Sequence, residues 1–207
     1  MIPKEDNTYQ QYHRRVFAHH EAGHATIAYR LGRKFDHIEV IPSLTPWLIQ
    51  FGGSMGHIDY IGLMYDETKR GIEALDEVLS KQLQAIIYTY AGPVAEARLE
   101  IDPNKASIME YLDCIEKCLD MGKGAENSDY EQIEKILQGI ENVKLDRVKP
   151  ESFRFFDRMY DPERMMMRAI SMVEKDWDAI TRLAKVLIDR GRLSYDEACV
   201  VIENEDR

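Results

Sequence analysis

Residues 18–26 of the chain read Ala-His-His-Glu-Ala-Gly-His-Ala-Thr and contain a His-Glu-x-x-His motif at His20, Glu21 and His24. Residues four positions apart share one face of an α-helix, so the two imidazoles can reach a single metal ion. Glu21 directly follows the first ligand, where a carboxylate can accept a proton from a zinc-bound water. The motif therefore predicts a catalytic Zn²⁺ site with Glu21 as the general base.

Helical periodicity around the motif agrees with this interpretation. Thr8 and Gln11 form a capping-box pattern at the expected start of the helix, and Gly32 is a typical stop. Gly23 lies in the helix interior, where glycine costs about 1 kcal/mol relative to alanine, so we expect a closely packed neighbour there. His19 points about 100° away from the motif face in an ideal helix, and we expect it to be packed or solvated.

The composition excludes several classes of partner. The chain has 207 residues with 27 Lys and Arg against 37 Asp and Glu, a net charge of −10, which argues against nucleic acid and anionic membranes. It has no apolar run long enough for a membrane span, and its N-terminus is too polar for a secretory signal. The three cysteines form no C-x-x-C pair, so we expect reduced thiols and a cytoplasmic location.

The pattern of hydrophobic residues predicts an α+β fold that is mainly α-helical. Polar and apolar residues alternate at 36–41 and again at 54–60, which indicates two short strands of a small sheet. Helical spacing dominates most of the remaining chain. Pro93 interrupts one helical stretch because it lacks the donor for the Thr89 carbonyl, and it predicts a kink or a new helix start.

We expect one domain over residues 1–207, because a chain of this length can bury a single core. Within it, the sequence predicts a metal-site core at 1–142 and an irregular, proline-bearing segment at 143–160. Helices follow at 161–207, opening with an Asp-Pro helix start.

A catalytic zinc needs three protein ligands and one open position. No histidine follows His57 in the chain, and Arg30 stands where the longer H-E-x-x-H-x-x-G-x-x-H motif has its third histidine. The third ligand should therefore be a carboxylate on a later helix. Spacing leaves three candidates open: Glu96, Asp113 and Asp129.

Nearly the whole chain resembles the peptidase domain of FtsH, the family of ATP-dependent zinc proteases. Residues 20–25 resemble its H-E-A-G-H-A signature, and the Ile-Glu-Val-Ile-Pro at 38–42 resembles its small β segment. The Tyr-Ala-Gly-Pro-Val-Ala-Glu at 90–96 is similar to its G-R-A-A-E-E helix. The Gly-Ala-Glu-Asn-Ser-Asp at 124–129 is similar to its G-A-x-x-D segment, and residues 193–197 fit its terminal helices.

The resemblance implies a zincin-like fold with a C-terminal helical bundle, and a zinc ion held by His20, His24 and Asp129. It leaves Glu96 as the next candidate, either as a ligand or as a carboxylate that steadies a zinc-bound imidazole. Two departures stand out. Pro93 occupies a position where the family has a basic residue, and one extra residue precedes the aspartate.

The sequence contains no G-x-x-x-x-G-K-[ST] phosphate loop, so we expect no ATPase motor among these residues. The expected activity is that of an ATP-independent metallo-endopeptidase acting on peptides or unfolded protein segments. The resemblance adds a homo-oligomer and a separate ATPase as candidate partners, because FtsH-like domains form six-membered rings. One alternative is a non-catalytic, zinc-containing peptide-binding or assembly module on the same scaffold. Another is a helical domain whose motif is accidental.

Overall fold

The computed structural model describes residues 5–40, 53–55, 72–124, 128–148 and 152–204. Within these ranges the chain has eight helices and one three-stranded sheet, which confirms a mainly helical α+β fold. The elements in chain order are α1 (Glu5–Arg30), β1 (His37–Val40), β2 (Gly53–Met55), α2 (Ile72–Glu100), α3 (Ile108–Asp120), α4 (Asp129–Arg147), α5 (Phe153–Met159), α6 (Pro162–Lys175), α7 (Trp177–Arg190), β3 (Arg192–Ser194) and α8 (Tyr195–Glu203).

Helix α1 carries the His-Glu-x-x-His motif and ends where the sequence predicts. Gly32 has a φ of +72°, and its N–H donates to the Tyr29 carbonyl at 2.9 Å while the Arg33 N–H donates to the Ala28 carbonyl at 2.9 Å. These two bonds form a Schellman motif, which glycine favours because it has no Cβ. The predicted start is wrong, because the helix already includes Glu5 and Thr8 lies inside it. A capping-box pattern does not mark the start of a helix when the residues before it are helical as well.

The sheet pairs two strands that follow α1 with a third strand close to the C-terminal end of the described residues. β1 lies in the middle and pairs antiparallel with both β2 and β3, so that Ile38 is in register with Met55 on one side and with Leu193 on the other. Both predicted strands are present at 37–40 and 53–55, while positions 41 and 56–60 lie outside the described residues. The sequence did not predict β3, whose three residues become a strand by pairing with β1.

Helix α2 is one continuous element with Pro93 inside it, so the prediction of a new helix start is wrong. Proline removes one backbone donor and costs a helix about 3 kcal/mol or more. The surrounding turns offset that cost, because α2 is buried without a gap over 85–97. The helical pattern in the sequence spans residues 66–100, of which 66–71 lie outside the described residues.

The prediction of an irregular segment at 143–160 is also wrong. Helix α4 extends through Arg147 and α5 covers Phe153–Met159, while 149–151 lie outside the described residues. Packing explains the difference. The Phe156 ring is buried against Tyr160 at 4.3 Å between centroids, and Lys144 of α4 lies 2.6 Å from the Asp157 carboxylate of α5. The Phe156–Tyr160 contact is one helical turn apart, whereas the Lys144–Asp157 contact joins two helices, and no short stretch of sequence indicates a contact of the second kind.

The motif helix lies between two others. α1 packs against α2 on one side and α7 on the other, and α2 also contacts α3, α4 and α6. A Cβ added at Gly23 of α1 would lie 2.5 Å from the Ala91 carbonyl oxygen of α2, which confirms the closely packed neighbour expected there. Among the described helices, none combines the length and apolar character needed to cross a membrane.

Candidate metal centre

Helix α1 brings the two motif histidines together. His20 and His24 are one turn apart, and their ring centroids lie 4.7 Å from each other with the planes at 81°. The two Nε2 atoms are 3.0 Å apart. Only 18% of the His20 side chain and 8% of the His24 side chain are exposed, so the rings meet in a largely buried place.

A carboxylate from the first turn of α4 completes the group. Asp129 Oδ2 lies 2.9 Å from His20 Nε2, and Asp129 Oδ1 lies 3.3 Å from His24 Nε2. One ligand atom from each of the three residues falls within 4.8 Å of the others. Two imidazole nitrogens and one carboxylate oxygen are a common donor set for a divalent metal, so this group could hold a metal ion.

Local structure explains where Asp129 lies. Ser128 caps α4, since its side-chain oxygen accepts a hydrogen bond from the Glu131 N–H at 3.3 Å. Asp129 is therefore the first residue of the helix, where the helix dipole favours a negative charge. The carboxylate is exposed by 18%, so it belongs to the same buried cluster as the two rings.

Both histidines are held at the ring nitrogen that faces away from Asp129. His20 Nδ1 lies 3.0 Å from Glu96 Oε2, and His24 Nδ1 donates to the Tyr88 carbonyl oxygen at 2.7 Å. Such contacts fix the ring orientation and the tautomer, so that Nε2 presents its lone pair to a metal. Helix α2 thus supports both rings that α1 carries.

No known protein-family model matches this chain, and neither does any curated protein. The resemblance to FtsH therefore rests on the sequence motifs alone.

Burial and charge shift the pKa values of His20, His24 and Asp129 in opposite directions. Burial lowers the pKa of His20 and of His24, but the nearby carboxylates, Asp129 foremost among them, together outweigh it and raise both pKa values, that of His20 well above the ordinary range. Burial would raise the pKa of Asp129, but the adjacent histidines outweigh it and hold that pKa well below its usual range. Because a metal binds the unprotonated imidazole nitrogen, raised pKa values for the two histidines would make metal affinity fall as the pH falls.

Glu21 is a buried acid on the same helix as the two histidines. The residue is only 6% exposed. Burial raises the pKa of its carboxyl group, and the neighbouring charges of His24 and His20 offset this only in part. A carboxylate with a raised pKa is a stronger base near neutral pH, which suits a group that accepts a proton.

The structure distinguishes among the three carboxylates that the sequence left as candidates for the third ligand. Asp129 faces Nε2 of both rings, whereas Glu96 contacts Nδ1 of His20 and is placed to orient that ring. Asp113 lies exposed on α3 and is not part of the group.

Two other histidines among the described residues, His19 and His37, do not belong to the cluster. His19 is 4% exposed, contacts the Arg15 carbonyl through Nδ1 and packs near the Trp177 ring, as expected for a structural residue. His37 lies on β1, with Nε2 3.7 Å from Glu39. His57 is outside the described residues.

Sequence reasoning missed one supporting contact entirely, namely the Tyr88 carbonyl that binds His24. A backbone carbonyl is present at every position, so no residue type can signal it. The Glu96 contact did leave a signal, since a carboxylate stood among small apolar residues in a helical stretch.

Proposed function

We propose that this protein is a zinc-dependent metallo-endopeptidase of the FtsH peptidase type. The observation that carries the proposal is the convergence of His20 Nε2, His24 Nε2 and the Asp129 carboxylate, with the buried Glu21 on the same helix. Zinc is the metal that this donor set and the His-Glu-x-x-His spacing favour.

Each residue of the site has a separate role in the proposed reaction. His20, His24 and Asp129 would hold the ion, while Glu96 and the Tyr88 carbonyl keep the two rings oriented. When bound, Zn²⁺ would supply Lewis-acid chemistry, acidifying water and polarising a substrate carbonyl. Glu21 would accept a proton on its carboxylate from the attacking water and then pass that proton to the leaving amide nitrogen.

The proposed substrates are peptides and unfolded protein segments. The sequence carries no phosphate-loop motif, so these residues offer no means of unfolding a stable protein. Cleavage of a folded substrate would then require a separate ATPase partner, whereas cleavage of an unfolded chain would require no ATP.

The test compares wild type with Glu21→Gln on an unfolded substrate such as casein, with the zinc content of each protein measured in parallel. We expect both proteins to bind one zinc ion and the variant to lose about 10²–10⁴-fold in hydrolysis rate, the usual contribution of a general base. Glu116→Gln on the exposed face of α3 is the matched control and should cleave like wild type.

Two results would contradict the proposal. One is a zinc-loaded wild type that cleaves no peptide or unfolded protein, which would favour the non-catalytic binding module. The other is a Glu21→Gln variant as active as wild type, which would exclude Glu21 as the base.

A further inference from the structure

At Gly92, the backbone of α2 lies close to the Nε2 atoms of His20 and His24. A Cβ added to this glycine would lie 2.8 Å from His20 Nε2, and closer still to Nε2 and Cε1 of His24. These are the same nitrogen atoms that face Asp129. Zinc binds imidazole nitrogen at about 2.0–2.1 Å, so a side chain at position 92 and a metal ion would compete for one space.

The two rings cannot turn aside without loss. His20 would give up its 3.0 Å contact with Glu96, and His24 would give up its 2.7 Å bond to the Tyr88 carbonyl. Both contacts lie in a mostly buried site, where an unpaired polar group is costly.

Helix α2 cannot easily move away either. The residue before Gly92 is Ala91, whose carbonyl oxygen lies 2.5 Å from the position of a Cβ at Gly23. The two helices therefore approach each other closely at this crossing, each through a glycine. Moving the α2 backbone to admit a side chain at position 92 would disturb this packing.

We infer that Gly92 determines whether the site can hold a metal ion. Its lack of a side chain keeps open the space in front of the two Nε2 atoms, and a methyl group there closes that space. The inference concerns the metal site on which the proposed function also depends, but it requires no catalysis.

The first experiment measures metal binding to Gly92→Ala. Wild type should bind one Zn²⁺, and one Co²⁺ with a visible absorption spectrum of the bound ion. Gly92→Ala should lose more than about 100-fold in affinity for both, beyond the loss usual for a changed supporting residue. An Ala variant that binds either metal with wild-type affinity and the wild-type cobalt spectrum would overturn the inference.

Gly139→Ala is the matched control. It makes the same change inside α4, the helix that carries Asp129, and its added Cβ would meet only the end of the Gln82 side chain at 3.3 Å. We expect wild-type metal affinity. Loss of affinity in this variant as large as in Gly92→Ala would mean that any glycine replacement in these helices disrupts the site, and would also overturn the inference.

A second measurement uses metal-free protein and remains informative if Gly92→Ala folds poorly. The substitution is made in wild type and in a His20→Ala/His24→Ala background, and the thermal midpoints are compared. The added methyl should lower the midpoint in wild type but not in the background without rings, because the clash is with the rings. An equal loss in both would assign the clash to other atoms and contradict the inference.

The outcomes also separate this inference from the proposed function. If wild type binds zinc but cleaves nothing, the peptidase proposal fails while the Gly92 result stands. If Gly92→Ala binds zinc and cleaves like wild type, the Gly92 inference fails while the peptidase proposal stands.

Discussion

The Nδ1 atoms of His20 and His24 contact acceptors of different kinds, and this difference affects how strongly each ring would bind a metal ion. Glu96 offers His20 a carboxylate at 3.0 Å, whereas the Tyr88 backbone offers His24 a carbonyl at 2.7 Å. An ionised acceptor makes the stronger hydrogen bond and makes the imidazole more basic. Mutation can therefore tune the His20 ligand through a side chain, while the His24 ligand depends on the path of α2.

Replacing Glu96 should weaken metal binding without removing the site. We expect Glu96→Ala to lower zinc affinity by about 10–100-fold, since it removes the group that orients His20. Glu96→Gln should lose less, because its amide oxygen still accepts the Nδ1–H bond. Titration against a zinc chelator of known affinity measures the difference.

Asp113→Ala is the control for this prediction, because it removes an exposed carboxylate from α3 that is outside the cluster. Its zinc affinity should equal that of wild type. If Glu96→Ala binds zinc as tightly as Asp113→Ala does, Glu96 has no part in positioning the ligand.

At the scale of elements, the start of α4 decides the position of Asp129, the proposed third ligand. Ser128 caps this helix and Asp129 is the next residue, so the cap that ends the preceding loop also places the carboxylate. α3 also begins with a serine cap, here a capping box in which the Ser107 side chain accepts from the Glu110 N–H and the Glu110 side chain accepts from the Ser107 N–H. The residue after the serine is Ile108 in α3, whereas in α4 it is Asp129, which faces the two histidines.

This pair of caps gives a direct comparison. Ser128→Ala and Ser107→Ala should each lower the free energy of unfolding by about 1 kcal/mol, the usual cost of losing a serine cap. Only Ser128→Ala should also weaken zinc binding, because only that helix start carries a ligand. Thermal melts and zinc titrations of both variants check this, and equal zinc affinities for the two would show that the cap does not hold Asp129 in place.

At the scale of the whole molecule, the candidate metal group connects distant parts of the chain. His20 and His24 come from α1 and Asp129 comes from α4, more than a hundred positions later. α1 is in turn supported by α7, and β1 pairs with β3, so the C-terminal region helps to fix the helix that carries His20 and His24.

A bound ion should accordingly stabilise the entire fold. Free zinc at 100 times its dissociation constant adds about 2.7 kcal/mol of stability, provided that the ion binds only the folded chain. For a chain of this size, that should raise the melting midpoint by roughly 5–10 °C. Calorimetry with and without a chelator measures the shift. Asp129→Ala should show little of it, and an equal shift in that variant would place the stabilising zinc elsewhere.

Much of the architecture was predictable because its causes are local. The spacing of His20 and His24 within one helix, the stop at Gly32 and the helix start at Asp161 depend on residues within a few positions of each other. Such local patterns are reliable predictors, because helix geometry fixes the distances between residues a few positions apart. The sequence by itself therefore determined a mainly helical fold with two histidines facing one point.

The remaining features depend on which surfaces meet. Spacing alone could not choose among Glu96, Asp113 and Asp129, since each lies on a later helix whose position only packing decides. The same holds for β3, for the Tyr88 carbonyl beside His24 and for Gly92 above the rings. Tertiary structure alone placed them, because contacts between segments depend on how buried surfaces fit together and have no signature in any short stretch of sequence.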